Sequence, residues 1–331
     1  MIKAIDAHAH YLPSGFVELI RKDDKYLAEL VEKDENTKLI QFKGGYAHPY
    51  NQLFIDPKAR LQYMDEHNIE CHVLSVSPRL FYYGAPAEIA AEIAYTCNNE
   101  IHSVVNRHRG RFVGMATVPL QDIEMAVKEL KRVKDELGFS AVEIGSEVND
   151  KKLSDPYFLP FFEEAAKNDM FILIHPQAVG KIKYMEEYYL GTILGHPFYT
   201  TIAIANLILS GIFDKLPKLK IGLSHGGGYL PYQLGRLEHG FRVRKETKAD
   251  IQRSPMSYIK DHVYFDTITH SKEALGFLIK TVGADNVFMG TDYPFDMCEM
   301  EPVNMIQELG LSKEEEEKIL FGNACELFKI G

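Results

Sequence analysis

Short, almost continuously apolar runs alternate along this chain with longer segments in which apolar residues recur at helical spacing. Eight such runs are recognisable, at Lys3–His8, Ile69–Ser77, Phe112–Val118, Ser140–Ile144, Phe171–His175, Lys220–His225, Val263–Thr267 and Val287–Asp292. Parallel strands that are buried on both faces have this uninterrupted apolar character. Eight strands separated by helices predict an α/β protein with a (β/α)8 barrel, the TIM-barrel fold.

The segments between the runs have the patterns of helices. Asp122–Leu137 has apolar side chains three or four positions apart, with Asp122 as a candidate N-cap and Gly138 beyond the end. Ala87–Arg107 has the same periodicity. Thr200–Phe213 is apolar nearly all round, which predicts a deeply buried helix, with a subunit interface as a second way to cover it.

Two stretches do not fit the barrel pattern. Residues about 14–55 follow the first run and are too long for a simple strand-to-helix loop. We expect them to form a small insertion on the face where the strands end. Residues about 297–331 follow the eighth run and predict a C-terminal helical extension. Residues 1–331 are therefore predicted to be one barrel domain with these two additions.

Composition and charge narrow the class of protein. The chain has 331 residues, of which 46% are hydrophobic, enough to bury a large core. Its net charge is −10, and no basic stripe suggests a nucleic-acid or membrane partner. The longest apolar stretch, Ile202–Leu209, is far shorter than the roughly 20 residues of a membrane span. The N-terminus lacks a signal-peptide core and the four cysteines show no C-x-x-C spacing, so we expect a cytoplasmic protein.

Histidines and one aspartate stand where four of the predicted strands end. In a barrel of this kind the carboxyl ends of the strands surround one mouth, where active sites lie. The first run ends in the sequence DAHAH. Residues two apart in an extended chain point the same way, so His8 and His10 can present two imidazoles to one point. His175 ends the fifth run, His225 the sixth and Asp292 the eighth.

Each of these residues has a plainer interpretation when taken alone. A histidine at a strand end is more often a hydrogen-bonded core residue than a ligand, and Asp292 could cap a turn. Their conjunction on separate strand ends predicts a metal site, since imidazole and carboxylate are ligands of zinc and similar ions. The glycines at 226–228 fit either a tight turn or a close approach of substrate to the backbone. Asp266 ends the seventh run and could either orient a ligand histidine or serve only as a buried hydrogen-bonding group.

The motifs that carry these residues resemble those of the amidohydrolase superfamily. The matching segments read DAHAH, IHP, SHGGG and GTDYP. The longer segment ILSGIFDKLPKLKIGLSHGGGYLPYQLGR is more specific. It resembles the branch that contains 2-amino-3-carboxymuconate 6-semialdehyde decarboxylase and the nonoxidative decarboxylases of hydroxylated benzoates. The resemblance extends from Asp6 to about Phe328, which is nearly the whole chain.

The resemblance implies a role for each of these residues. Four residues are implied to bind one divalent metal ion, namely His8, His10, His175 and Asp292. Zn²⁺ is the expected ion, and Mn²⁺ is the alternative. His225 is implied to act as the catalytic acid or base beside the metal. Arg236 is implied to bind a substrate carboxylate in the site of a neighbouring subunit, which in turn implies a homodimer.

One position departs from the pattern of the family. His48 precedes a proline where the semialdehyde decarboxylase carries a second carboxylate-binding arginine. A histidine can hydrogen-bond a phenol or carbonyl, but it binds a carboxylate more weakly at neutral pH. The first strand carries His-x-His, whereas the hydroxybenzoate enzymes often have Glu-x-His. The substrate can therefore also be a related phenolic or β-keto acid, and His48 is expected to contact it.

These residues favour a metal-dependent nonoxidative decarboxylase, a carbon–carbon lyase that acts on an unsaturated or aromatic carboxylic acid. The metal is expected to polarise the substrate or activate a water, and either His225 or Asp292 is expected to protonate the carbon that loses CO2. The alternative is a hydrolase of an ester, lactone or amide, because the same ligands can serve both reactions. A noncatalytic metal-binding barrel would leave His225 without a purpose.

Overall fold

Eight parallel strands form the wall of a barrel in the computed structural model, which describes residues 4–34, 37–177 and 182–331. In chain order, β1 to β8 are Ile5–Tyr11, Cys71–Val76, Phe112–Gly114, Ala141–Gly145, Phe171–His175, Lys220–Leu223, Val263–Asp266 and Val287–Phe288. Each lies within or overlaps one of the predicted runs. The largest difference is in β1, which continues to Tyr11 and so contains both histidines of the DAHAH motif.

The strands close into a barrel where two sheets meet. The strand orders are β1-β2-β3 and β8-β7-β6-β5-β4, with parallel pairing throughout. Single parallel bridges join the sheets on both sides. One links Ala9 on β1 with Tyr293 beyond β8, and the other links Ala116 beyond β3 with Val142 on β4. The predicted (β/α)8 fold is confirmed.

Both faces of the strands are buried, which explains the uninterrupted apolar runs in the sequence. One face packs against the surrounding helices. The other face fills the barrel interior with a smaller cluster that includes Ile5, Val73 and Phe171. Phe328, near the C-terminus, packs on Phe171 with ring centroids 5.2 Å apart. Apolar side chains therefore fill the end of the barrel where the strands begin, which leaves the other end for polar residues.

The helices surround the barrel or extend it at the C-terminus. The α-helices of the described residues, α1 to α14, are Ser14–Lys22, Gln52–Ile55, Pro57–Glu66, Ala87–Arg107, Ile123–Asp135, Leu159–Lys167, His196–Leu209, Ile212–Lys215, Leu230–Val243, Pro255–His262, Lys272–Val282, Pro302–Gln307, Lys313–Glu317 and Asn323–Phe328. The bounds of α4 agree with the prediction. As predicted, Asp122 caps α5, because its side chain accepts a hydrogen bond from the Met125 backbone N–H at 2.9 Å.

The residues predicted to be an insertion form their own small sheet. Three antiparallel strands, Ala28–Glu32, Lys38–Phe42 and Ala47–Tyr50, follow α1 and precede α2. We refer to them as the insertion sheet. The turn before its last strand brings Tyr46 to the mouth of the barrel. The insertion therefore contributes to the wall of the site rather than to the barrel itself.

The helix predicted to be deeply buried is exposed on one face. Gly191–Leu209, which consists of a π-helical turn and α7, is the one helical segment of the described residues long and apolar enough to cross a membrane, and 33% of it is buried. Within the predicted range Thr200–Phe213, Ile204 is buried in the core, whereas Ile202 is 39% exposed. The predicted burial holds for the inner face only, because the barrel covers just that side of the helix.

Candidate metal centre

Four side chains from three strand ends converge at the mouth of the barrel. His8 and His10 lie on β1, His175 ends β5 and Asp292 follows β8. One ligand atom of each residue lies within 4.8 Å of the other three, and all four residues are buried. Asp292 Oδ1 is 2.9 Å from His10 Nε2 and 3.5 Å from His8 Nε2. The structure thus brings together the four residues that the sequence identified as metal ligands.

Each of the three imidazoles is held by its Nδ1 atom. The Nδ1 atom of His8 lies 2.7 Å from Asp266 Oδ2. The Nδ1 atoms of His10 and His175 lie 2.9 Å from the Val76 carbonyl oxygen and 2.7 Å from the Pro176 carbonyl oxygen. Such acceptors favour the proton on Nδ1 and leave the Nε2 lone pair for a metal. His175 Nε2 is buried without a hydrogen-bond partner. The donor set therefore fits one divalent cation.

The ionisation of the cluster also suits a cation. Burial lowers the pKa of His8 and holds the pKa of His175 well below its usual value. Burial opposes the charged form of His10 too, but the carboxylates of Glu143 and Asp292 outweigh it and raise the pKa of His10. Burial alone would raise the pKa of Asp292, yet the surrounding imidazoles hold it well below its usual value. A carboxylate among mostly neutral imidazoles attracts a positive ion.

Asp266, at the end of β7, holds a ligand and the catalytic candidate at the same time. This fully buried carboxylate contacts His8 Nδ1 through Oδ2. The same oxygen accepts a hydrogen bond from the His225 backbone N–H at 2.9 Å. The other oxygen accepts from the Gly226 N–H at 2.7 Å. The structure therefore favours the orienting role for Asp266 over that of an isolated buried acid.

His225 lies beside the four ligands without being one of them. Its Nε2 is 3.5 Å from Asp292 Oδ2, and its Nδ1 has no hydrogen-bond partner. His225 and Asp292 have φ angles of 56° and 65°. Residues other than glycine rarely adopt a positive φ, and the residues that do so are concentrated at functional sites. The strained backbone aims both side chains into the mouth of the barrel.

The glycines after His225 are required by the turn itself. Gly228 has a φ of 63°, and a Cβ atom there would lie 2.1 Å from the Pro197 carbonyl oxygen. A Cβ atom on Gly227 would lie 2.4 Å from the Phe265 ring. These contacts support the tight-turn interpretation. Gly228 also lines the cavity described next, so the turn and the substrate space meet at this residue.

A cavity of about 770 Å³ opens over the cluster. His175, His225 and Asp292 form part of its wall. The aromatic and aliphatic side chains that line it include Tyr46, Tyr189, Ile193, Tyr229, Phe277 and Phe295. A cavity of this size holds one small organic ligand. The polar cluster at one end, with these aromatic and aliphatic side chains along the walls, suits a substituted ring or a short unsaturated acid.

Two residues predicted to bind substrate lie off the wall of this cavity. His48, in the insertion sheet, is fully buried and packs against Phe54 and Phe295 with ring centroids 4.7 and 5.7 Å apart. Burial lowers the pKa of His48 to about 4, and its Nε2 has no hydrogen-bond partner. Arg236 is exposed on α9 and does not line the cavity of its own chain. The substrate-binding roles of both residues stay predictions.

Two residues of this region were not predicted from the sequence. Glu143 is fully buried in the middle of β4, where burial raises its pKa to about 7 against the lowering effect of His10. Its sequence signature is an acidic residue inside an otherwise apolar strand, which could have indicated a buried functional group. Arg79 lies three positions beyond β2 and lines the cavity. Its sequence signature is an arginine just beyond the carboxyl end of a strand, the end that lies at the mouth of the barrel.

Comparison with known proteins finds relatives along nearly the whole chain. A family profile described as Amidohydrolase matches residues 5–330. The 2-amino-3-carboxymuconate-6-semialdehyde decarboxylase of Dictyostelium discoideum is 35% identical over an alignment of 332 positions, gaps included, which covers 98% of this chain and 91% of that protein.

Two solved structures share the fold. The structure of 5-carboxyvanillate decarboxylase from Sphingomonas paucimobilis matches with a TM-score of 0.85 and 25% identity, and all of both chains is covered. Dihydroxybenzoic acid decarboxylase from Polaromonas sp. JS666, with bound manganese and the inhibitor 2-nitroresorcinol, matches with a TM-score of 0.82 and 25% identity. That match covers 100% of this chain and 98% of the other.

Proposed function

Because the chain belongs to the amidohydrolase family, we propose that it is a metal-dependent nonoxidative decarboxylase of an aromatic or unsaturated carboxylic acid. The observation that carries the proposal is the cluster of His8, His10, His175 and Asp292 under a cavity that fits one small acid. The similar proteins described above support the reaction class, since they are decarboxylases. The protein is accordingly a carboxy-lyase.

We propose Zn²⁺ as the ion that the four ligands hold, with Mn²⁺ as the alternative. Three imidazoles and one carboxylate are a donor set that zinc accepts. Manganese is supported by the decarboxylase from Polaromonas, which contains that ion. When bound, either ion supplies Lewis acidity toward a carboxylate oxygen and a neighbouring hydroxyl or carbonyl of the substrate.

The side chains around the ligands supply the proton that decarboxylation needs. Departure of CO2 leaves an electron pair on the substrate carbon, so a proton must be delivered to that carbon to complete the reaction. His225 Nε2 and Asp292 Oδ2 lie 3.5 Å apart on the cavity wall. A protonated His225 can donate directly, whereas the Asp292 carboxylate can deliver a proton only after it has received one. Asp266 fixes the backbone of His225 and keeps its ring beside the substrate space.

We also propose a homodimer in which Arg236 completes the site of the neighbouring subunit by binding a substrate carboxylate. Arg236 is exposed on α9 and does not line the cavity of its own chain, which supports a role toward a neighbouring subunit. The test mixes subunits that carry Arg236→Ala with subunits that carry His225→Ala. Shared sites predict that activity returns in part, because one site of each mixed dimer is intact. No recovery under conditions of subunit exchange would contradict sharing.

The proposed reaction is tested by offering two panels of compounds to the metal-loaded protein. The first panel contains ortho-hydroxybenzoates, carboxyvanillate-type acids and aminocarboxymuconate semialdehyde, and CO2 release is measured. The second contains neutral esters, lactones and amides, and release of acid is measured. Turnover in the first panel is the expected result. Acid release from the second panel with no CO2 from the first would overturn the decarboxylase and favour the hydrolase.

A further inference from the structure

The cavity contains a permanent positive charge that the metal centre does not use. Arg79 belongs to the short turn Pro78–Phe81 beyond β2. It is the only lysine or arginine among the described residues that line the cavity. We infer that Arg79 binds a second carboxylate of the substrate, so that the enzyme acts on a dicarboxylic acid. This inference rests on the proposed function, in which the metal centre takes the carboxylate that is lost.

Tyr46 of the insertion holds the guanidinium of Arg79 without neutralising it. Arg79 Cζ lies 3.6 Å from the centre of the Tyr46 ring. A guanidinium held against an aromatic face keeps donors along its edge for a planar acceptor. Such an edge matches a carboxylate, which accepts two parallel N–H···O hydrogen bonds. The contact with Tyr46 therefore holds the guanidinium in an orientation in which its N–H groups can bind a carboxylate.

Some other arginines of the chain have the carboxylate partner that Arg79 lacks. Arg111 contacts Asp65 at 2.6 Å and Arg132 contacts Glu129 at 2.7 Å. Across residues 4–34, 37–177 and 182–331, no carboxylate oxygen lies within 4.0 Å of the Arg79 guanidinium. Burial lowers the pKa of Arg79, because removal from water disfavours the charged form. An unneutralised cation in such a place gains a counter-charge when an anionic ligand enters.

The acidic residues of the cavity do not fill this role. Asp292 belongs to the metal centre. Asp296 and Glu273 are exposed on the cavity wall, and Glu273 accepts a hydrogen bond from Ser271 Oγ at 2.9 Å. The cavity thus has two features that attract anions, the metal centre and Arg79. A monoacid satisfies one of them, whereas a diacid satisfies both.

The test compares two acids that differ by one carboxylate. The metal-loaded protein is given 4-hydroxyisophthalate and 2-hydroxybenzoate, each with a carboxylate next to a hydroxyl. For the diacid, Arg79→Gln should raise KM about 10- to 100-fold, the scale of a lost charge-assisted hydrogen bond. The KM for 2-hydroxybenzoate should not change. Arg79→Lys keeps the charge and should recover part of the loss. Arg109→Gln, an exposed arginine before β3, is the matched control.

A second measurement separates the anion site from the reaction. Isophthalate and benzoate are titrated calorimetrically into the same proteins, whose folding is checked by thermal melting. Tighter binding of isophthalate than of benzoate, lost in Arg79→Gln, supports the inference even if no acid is decarboxylated, in which case only the proposed function fails. Equal effects on both acids, or no effect on the diacid, overturn the role of Arg79 and leave the decarboxylase proposal intact.

Discussion

The metal centre and the wall that carries Arg79 are built in different ways. The four metal ligands lie on barrel strands or directly beyond them, and all are buried. The other wall consists of loop and insertion side chains such as Tyr46 and Tyr189, and Tyr189 is 55% exposed. The barrel therefore fixes the chemistry rigidly, while its additions are free to set which acid is bound.

The two regions also differ in how their polar groups are supported. At the metal centre every imidazole has a carbonyl or carboxylate behind it, such as Asp266 behind His8. Arg79 is supported by the face of Tyr46 and has no described carboxylate partner. Changes at the metal centre should therefore affect metal and turnover for every acid, and changes at the other wall should discriminate between acids.

The largest effect is expected from removal of a ligand. His175→Ala should weaken metal binding by more than the roughly 10- to 100-fold that loss of an outer partner costs, and turnover should disappear with the metal. Metal content after dialysis measures this. His196→Ala is the control, because His196 lines the same cavity but is not one of the four ligands. Stoichiometric metal in His175→Ala would refute the ligand assignment.

Loss of the acid–base group should leave the metal in place. His225→Ala should retain stoichiometric metal while kcat falls by roughly 10² or more, the scale of general acid–base catalysis. The reason is that His225 contacts Asp292 from outside the ligand set. Metal analysis and steady-state kinetics on one preparation give both quantities. Full activity in this variant would remove His225 from the mechanism.

A smaller loss of metal affinity is expected when Asp266, which hydrogen-bonds the ligand His8, is changed. Asp266→Asn should weaken metal affinity by about 10- to 100-fold, because one carboxylate holds both His8 and the backbone of His225. Competition with a chelator measures the affinity. If metal affinity and kcat are both unchanged, Asp266 only accepts the backbone hydrogen bonds of His225 and Gly226 and does not orient His8.

The last effect concerns stability and its dependence on pH rather than metal binding or turnover. The folded protein holds the proton of Glu143 up to about pH 7, whereas the unfolded chain releases it near 4.5. Unfolding of the metal-free protein therefore releases a proton between these values, and stability falls as pH rises through that window. Glu143→Gln should remove this fall and be more stable at pH 8 by up to about 3 kcal/mol, with no advantage below pH 4.5.

Denaturant unfolding at several pH values measures this effect. Glu124→Gln, on an exposed position of α5, is the control and should follow the wild-type protein at every pH. A Glu143→Gln variant that loses stability with rising pH as the wild type does would show that Glu143 is not the titrating group.

The barrel and the convergence of His8, His10, His175 and Asp292 could be predicted because each leaves a local signal. Buried parallel strands are apolar throughout, and a ligand at a strand end interrupts that pattern at a fixed place. The family and the decarboxylase class are confirmed by the comparisons on the same motifs. Val76 and Pro176 hold ligand histidines through backbone carbonyls, which no side-chain pattern reveals.

The wall opposite the metal centre was less predictable because it depends on contacts between distant segments. Tyr46 and Arg79 are 33 positions apart and meet only after the insertion folds over the barrel mouth. His48 was predicted to bind substrate from its sequence position alone, and its burial behind Phe295 is a tertiary effect. The exposed face of Gly191–Leu209 likewise depends on how far the barrel covers it.

The decarboxylase activity that we propose depends on one divalent ion held by His8, His10, His175 and Asp292. The most direct test removes metal with a chelator and then titrates Zn²⁺ or Mn²⁺ while CO2 release from a hydroxylated benzoate or a carboxymuconate is followed. We expect no CO2 release without metal, and release that rises in proportion to bound ion and saturates at one ion per chain. Release that persists in the metal-free protein, or none from the fully loaded one across all acids, would contradict it.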